Sequence, residues 1–178
     1  MKAVKILLKV IAWLFVSIIV LVVGVFTAAR LHDGPVGPLA GGSFTTGSPH
    51  TGDEPDWSFV RDISEVQFQS LNPERSRTAW IVEVDGRIFI PSGYMTTTLG
   101  KIWKHWPYEA EKDGRVLLRV DGTIYERHLD RIQEGEILVP ILAELGRKYI
   151  GGNVPMEAVS SGNLWIFEAS APRGQPPR

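Results

Sequence analysis

The period of the apolar positions changes along the chain. Residues 10–29, VIAWLFVSIIVLVVGVFTAA, form an uninterrupted apolar run of 20 residues without a charge. At about 1.5 Å of rise per residue such a helix covers roughly 30 Å, the thickness of a hydrocarbon core, where only a helix satisfies its own amides within one segment. Residues 32–56 hold few large apolar side chains and are dense in Gly, Pro, Ser and Thr. That composition predicts a linker that spaces a domain from a bilayer. The alternative is that Asp33-Gly34-Pro35 and Gly41-Gly42 form ordered turns packed on the domain. From Trp57 onward the pattern becomes short apolar alternations separated by turn residues, which predicts strands.

Two of these stretches are near copies of each other, IVEVDGRIFI at 81–90 and LLRVDGTIYE at 117–126. Asp-Gly suits a two-residue type I′ loop because both central positions need positive φ, so Asp85-Gly86 and Asp121-Gly122 predict two hairpins with fixed register. Alternation places Trp80, Val82 and Val84 on one face and Val116, Leu118 and Val120 on another; these are the candidate core. Residues 65–71 alternate Val66, Phe68 and Ser70 against Gln67, Gln69 and Leu71, and the aromatic-rich residues 163–169 read as a terminal strand, six strands in all. An apolar stripe at Leu99, Ile102, Trp103 and Trp106 predicts a helix capped by Thr97 or Thr98 and facing a sheet. A second helix is predicted from about Pro140, with Ile141, Leu142, Leu145 and Tyr149 inward and Gly151-Gly152 as its stop. This order has too few long crossovers for a parallel sheet, and it predicts a mainly β (α+β) fold, a small closed barrel with two helices outside.

Charge sets the topology. Lys2, Lys5 and Lys9 precede the apolar run and Arg30 alone closely follows it, a bias that puts the N-terminus in the cytoplasm and the rest outside, in the periplasm of a Gram-negative cell. A cleaved signal peptide competes with this reading, because Thr27-Ala28-Ala29 resembles a small-residue cleavage site, but the apolar run exceeds the usual length of such a region. The expected organisation is a cytoplasmic N-terminus at 1–9, a transmembrane helix at 10–29, a linker at 30–56, a barrel domain at 57–170 and a disordered tail at 171–178. Setting those three lysines and Arg30 aside turns the formal charge of −1 into −5 for the remainder, which opposes nucleic-acid binding. The absence of cysteine removes disulfides, thiolate metal sites and cysteine nucleophiles.

The catalytic signatures are sparse. The sequence has no G-x-G-x-x-G, Walker loop, G-x-S-x-G or H-E-x-x-H. His32, His50, His105 and His128 are scattered with no metal-ligand spacing, so no metal is expected. Residues 91–103, PSGYMTTTLGKIW, stand out: a strand ends in Ser92-Gly93, three threonines follow, and a helix opens with Lys101 in its first turn. A helix N-terminus carries unpaired N–H groups and partial positive charge, so a lysine there favours a shared anion, with hydroxyls of Thr96, Thr97 and Thr98 as further donors. The plain alternative has Thr98 capping the helix while Lys101 points into water.

The hairpin TAWIVEVDGRIFIPSGY, the K-x-W helix after it and the strand pair RVLLRVDGTIYERHLDRI resemble the flavin-binding split β-barrel, nearest to the deazaflavin-dependent nitroreductase group, over residues 65–167. The resemblance implies a split barrel that holds a cofactor phosphate, of FMN or a deazaflavin, at Ser92, Gly93, Thr97, Thr98 and Lys101, with Trp103 and His105 close by. Trp80, Trp103, Trp106 and Trp165 would line a ring pocket or else serve as core and interface residues. An oxidoreductase of this kind would leave hydride chemistry to the flavin, and Tyr94 and His105 are the nearest candidates for proton donors. Family members commonly pair, so a homodimer is expected. The rival reading is a non-catalytic barrel at the cell envelope that binds a ligand or partner, its cofactor site lost.

Overall fold

A computed structural model describes residues 2–172. One long helix, α1 (Lys2–Leu31), precedes an antiparallel sheet of β2 (Glu65–Leu71), β3 (Glu74–Trp80), β4 (Val82–Val84), β5 (Arg87–Ser92), β6 (Arg115–Val120), β7 (Thr123–Ile132) and β8 (Trp165–Ser170), with a two-residue strand β1 (Ser48–Pro49) at its margin. Between β5 and β6 lie α2 (Thr98–Trp103) and α3 (Trp106–Lys112); between β7 and β8 lie α4 (Leu138–Leu145), a π turn at Gly146–Ile150 and α5 (Glu157–Ser160).

The strand order is β3-β2-β6-β7-β8-β5-β4. Its outermost strands, β3 and β4, are joined in the chain by Ile81 alone, so both margins of the sheet meet at one place and the sheet must curl over on itself. The result is a half-barrel with helices, the split-barrel arrangement. Both Asp-Gly loops form as expected, with φ of +53° and +74° at Asp85 and Gly86 and +47° and +78° at Asp121 and Gly122, and the flanking residues Val84 and Arg87, and Val120 and Thr123, pair directly.

Period-2 alternation divides the sheet into two apolar faces. Phe68, Val116, Leu118, Ile88, Ile90 and Phe167 fill the barrel with Trp57 and Trp106. Val82, Val84, Phe89 and Ile166 point outward against Leu138, Ile141, Leu142 and Leu145 of α4. Full burial of each such side chain contributes about 1.5–3 kcal/mol. The inward set predicted for α4 is therefore observed, with Tyr149 partly buried beside it and Gly151, in the left-handed region at φ +70°, closing the helix.

Four expectations need correction. The sheet has eight strands rather than six; the missed β3, ERSRTAW, carries two arginines and a glutamate, which mask it as a strand and suit an edge. Trp80 does not join Val82 and Val84 in the core but is 42 % exposed, because Ile81 breaks the run and bonds to Tyr149 instead of a neighbouring strand. Trp80 then stacks on the Tyr149 ring at 4.4 Å. The stripe 99–106 is not one helix: α2 ends at Trp103 and a new helix starts at Trp106 with Pro107 in its first turn, since proline cannot donate the amide that would continue α2. Ile102 and Trp103 consequently face solvent while Trp106 is buried; the side chain of Leu99 lies outside the description.

The fourth correction concerns residues 30–56, which lie along the sheet rather than hanging free. Gly41 pairs with Ser76 through bonds of 3.0 and 3.4 Å, and β1 runs parallel to β7 at Thr123 and Ile124, on the part of that margin beyond the reach of β8. Asp33 meets Arg119 at 3.0 Å, and the Arg119 guanidinium lies 4.1 Å from the Phe44 ring centre. Further along, Glu54 pairs with the buried Arg127 at 2.7 Å, and Arg127 stacks over Trp57 at 4.7 Å. Glycines and threonines that read as slack are thus bound by charged partners contributed by strands far along the chain. Of the expected tail, Ala171 and Pro172 are described and 173–178 fall outside the described residues.

Candidate functional site

The rim of the barrel where β5 ends gathers the residues singled out from sequence. Ser92 closes β5 opposite Trp165. After Gly93 the chain turns through Tyr94, a non-glycine residue at φ +63°, and reaches α2 with Thr97 as its N-cap. The loop is pinned from the segment before β8: the Met95 amide donates to Asn163 O at 3.0 Å, and the Thr96 hydroxyl donates to Asn163 Oδ1 at 2.9 Å.

Two of the hydroxyls proposed for a phosphate cradle are engaged within this loop. Ser92 is 1 % exposed and its hydroxyl points at Met95 Sδ, 3.4 Å away. The Thr97 hydroxyl donates to Tyr94 O at 2.8 Å and accepts from the Gly100 amide at 3.0 Å. The Gly93 carbonyl accepts from Lys104 Nζ at 2.9 Å, and that ammonium lies 5.7 Å from the Tyr94 ring centre. Burial lowers the Lys104 pKa from its ordinary value. Thr97, Thr98, Lys101 and Trp103 are exposed, and Lys101 sits in the second half of a helix of six residues. The Ser92 hydroxyl is thus shut inside the rim, while Thr97, Thr98 and Lys101 line its solvent side. His105 Nε2 lies 2.7 Å from Ile102 O at the end of α2.

The ring pocket suggested by Trp80, Trp103, Trp106 and Trp165 is also dispersed. Trp106 and Trp165 belong to the barrel interior around Phe167, Trp80 is paired with Tyr149, and Trp103 is 58 % exposed. What the rim presents instead is an exposed apolar and aromatic surface, Tyr94 at 67 %, Ile102 at 66 % and Trp103, with Lys101 alongside. Two residues that sequence reasoning missed shape it: Lys104, which fastens α2 to Gly93, and Asn163, which holds the threonine loop. Neither belongs to a recognisable motif, because each acts through a partner distant in the chain or on the far side of a turn.

Recesses in the surface lie elsewhere. A groove of about 840 Å³ runs between α3 and β7, lined by residues that include Asp113, Arg115, Arg127, His128, Asp130 and Arg131. Its charged groups are bound to one another or to neighbours: Arg115 to Asp113 at 2.7 Å, Arg131 to Glu111 at 2.7 Å and Arg127 to Glu54. Arg115, by its hydrogen bonds to the carboxylate, holds Asp113 down at about 2. His128 Nδ1 lies 3.2 Å from Asp130 Oδ2, which also accepts from Ser170. A shared carboxylate between a histidine and a serine orients both, but it does not place the imidazole against the hydroxyl as a nucleophilic pair requires. Among the described residues no group of three or more His, Asp or Glu gathers to hold a metal ion.

No family model matches the sequence, and no curated protein does. Solved structures to which the chain is similar at low identity include those of two proteins. The conserved hypothetical protein Rv2991 from Mycobacterium tuberculosis is 14 % identical over 65 % of this chain and 77 % of its own, with a TM-score of 0.43. HutZ from Vibrio cholerae, described as a heme storage protein, is 11 % identical over 70 % of this chain and 93 % of its own, also with a TM-score of 0.43. The split-barrel assignment rests on the strand order above, and neither likeness bears on ligand or activity.

Proposed function

We propose that this chain is a single-span, membrane-tethered split-barrel binding module, with its N-terminus in the cytoplasm and its barrel held close against the outer face of the bilayer. The observation that carries the reading is the junction between α1 and the barrel. α1 is long and apolar enough to cross a membrane, a test that a signal sequence also passes, and its side chains are exposed throughout except Ala29. Directly after it the chain is fastened: His32 N donates to Ala29 O at 3.2 Å, Gly42 N donates to His32 O at 3.1 Å, and Ser76 Oγ donates to Gly42 O at 2.6 Å. A domain without slack beside a helix with no protein partner along its length suits work at a membrane surface. The test is expression of the full chain followed by alkaline extraction and protease treatment of sealed vesicles. The expected product keeps residues 1–29, stays with the lipid and exposes its barrel on the side opposite the cytoplasm; a soluble product beginning near Arg30 would refute the anchor.

Binding without redox chemistry is favoured by the rim loop, in which the Ser92 and Thr97 hydroxyls are already engaged with Met95, Tyr94 and Gly100. The second reading, an FMN- or deazaflavin-dependent oxidoreductase working as a homodimer, is favoured by the exposed Trp103 and Tyr94 rings beside Lys101, flat surfaces on which a flavin ring can stack. Visible absorbance of the purified full chain, with and without added FMN or deazaflavin, separates the two. Absence of a bound chromophore at tens of micromolar ligand supports the binding module; saturable binding that weakens with Lys101→Ala for FMN but not for riboflavin supports the flavin reading and its phosphate assignment.

A further inference from the structure

The exposed face of α2 asks for a covering surface. Ile102 and Trp103 are 66 % and 58 % exposed, and Tyr94 beside them is 67 % exposed. Residues 93–108, GYMTTTLGKIWKHWPY, contain no carboxylate, and their exposed side chains include Lys101 and Trp103, although the chain beyond α1 carries a formal −5 once Lys2, Lys5, Lys9 and Arg30 are set aside from the total of −1. Large aromatic and aliphatic side chains interleaved with lysine are the composition of a segment that rests at a lipid–water boundary, with the ring at headgroup depth and the ammonium among anionic headgroups.

Position within the fold agrees with composition. Gly42 packs against the Arg30 carbonyl in the last turn of α1, and its own carbonyl accepts from Ser76 Oγ at 2.6 Å, next to Arg77 on β3. Arg77 Nη2 is 3.3 Å from Glu109 Oε2 on α3, and Glu109 is six residues from Trp103, at most about 20 Å of extended chain. These contacts join the end of the membrane-length helix, through β3, to α3, which α2 directly precedes in the chain. We infer that the Tyr94–Ile102–Trp103 face, with Lys101, docks into the headgroup layer of the bilayer that α1 spans, giving the domain a second membrane contact and one fixed orientation. This rests on the proposed anchor. A single tether leaves a domain free to tilt and turn, whereas two contacts fix which rim of the barrel looks toward the lipid.

The chain has no cysteine, so one introduced thiol reports on one place. The full chain is reconstituted into vesicles of phosphatidylcholine with phosphatidylglycerol and labelled with an environment-sensitive fluorophore at Val20→Cys, Trp103→Cys, Ile102→Cys, Val139→Cys or Ile150→Cys. Val139 and Ile150 are comparison sites because they are exposed apolar residues, at 62 % and 57 %, away from α2. The docked geometry requires that a shallow lipid-borne quencher act several-fold more strongly at 102 or 103 than at 139 and 150, that aqueous iodide show the reverse order, and that Lys101→Glu reduce the lipid quenching at 102 and 103. Two positions in α2 are used so that a fold defect in one variant does not decide the matter. Failure of the deep quencher at position 20 would remove the anchor itself. With position 20 quenched, iodide access at 102 and 103 equal to that at 139 would overturn the docking. Shielding of 102 and 103 from both quenchers would also overturn it, because a second copy or another protein would then be the cover.

Discussion

Removing the carboxylate of Asp33 tests whether residues 30–56 are part of the fold or a tether that happens to touch it. Asp33 accepts from the Thr45 amide at 2.8 Å and the Thr46 amide at 3.4 Å, from the Thr46 hydroxyl, and from Arg119 Nη1 at 3.0 and 3.1 Å. The Arg119 side chain is 12 % exposed and that of Asp33 27 %. Hydrogen bonds to a charged group contribute about 1.5–3 kcal/mol each, and breaking a fully buried pair costs about 3–5 kcal/mol. Here Arg119 keeps Gln67 at 2.6 and 2.9 Å and the Thr46 carbonyl at 3.1 Å, and water reaches Asp33, so Asp33→Ala is expected to cost about 2–3 kcal/mol. For a chain of this size that lowers Tm by about 5–10 °C, read by the near-ultraviolet circular dichroism of the tryptophans in detergent. Asp33→Asn, which keeps the shape and part of the bonding, should lose less.

The pH dependence sharpens this test. The Thr46 hydroxyl, the Thr45 amide and Arg119 hold the Asp33 carboxyl well below the usual carboxylate range. A depressed folded-state value means that the stabilisation is complete above the unfolded value, about 3.9, and is lost as pH falls through the folded one. The Tm gap between the wild type and Asp33→Ala should therefore be widest near neutrality and narrow below about pH 4. A variant that melts within about 1 °C of the wild type at neutral pH, where about 5–10 °C is expected, would show that the segment contributes nothing to the barrel.

Three further outcomes are expected. Tyr149→Phe removes the hydroxyl that accepts from the buried Ile81 amide at 3.0 Å, leaving that donor unpaired at a cost of about 1–3 kcal/mol; faster hydrogen exchange at Ile81 with an otherwise native spectrum is the readout, and unchanged exchange would refute the role. Gly42→Ala places a methyl 2.5 Å from Arg30 O and 2.9 Å from His32 O; both are backbone atoms, so the junction must shift, and a loss of about 1–3 kcal/mol in melting follows. Gly86→Ala meets no neighbour but sits at φ +74°, so its cost should be the conformational one alone, about 1 kcal/mol; a larger loss would mean that the loop packs on something further.

Local chemistry determined much of this protein. The two Asp-Gly turns, the alternation of Val116, Leu118 and Val120, the inward face of α4 and the membrane-length run of 10–29 are each written in neighbouring residues, because a turn type or a periodic face depends only on φ, ψ and spacing. The rim loop was legible in part: a cap was expected at Thr97 or Thr98, and Thr97 rather than Thr98 fills it, which engages the hydroxyl that a phosphate would need. What tertiary structure alone decided is where a pattern stops or changes partner. Ile81 leaves the sheet because Tyr149, 68 residues away in sequence, offers it a hydroxyl. The stretch 32–56 is ordered because Arg119 and Arg127, on strands formed much later in the chain, supply the charges its few carboxylates bind. Trp103 and Trp106 part company because Pro107 forces a new helix, and only the curled sheet determines which of the two rings it encloses. Pairings between residues so far apart leave no periodic trace, since each partner on its own reads as an ordinary polar or aromatic residue.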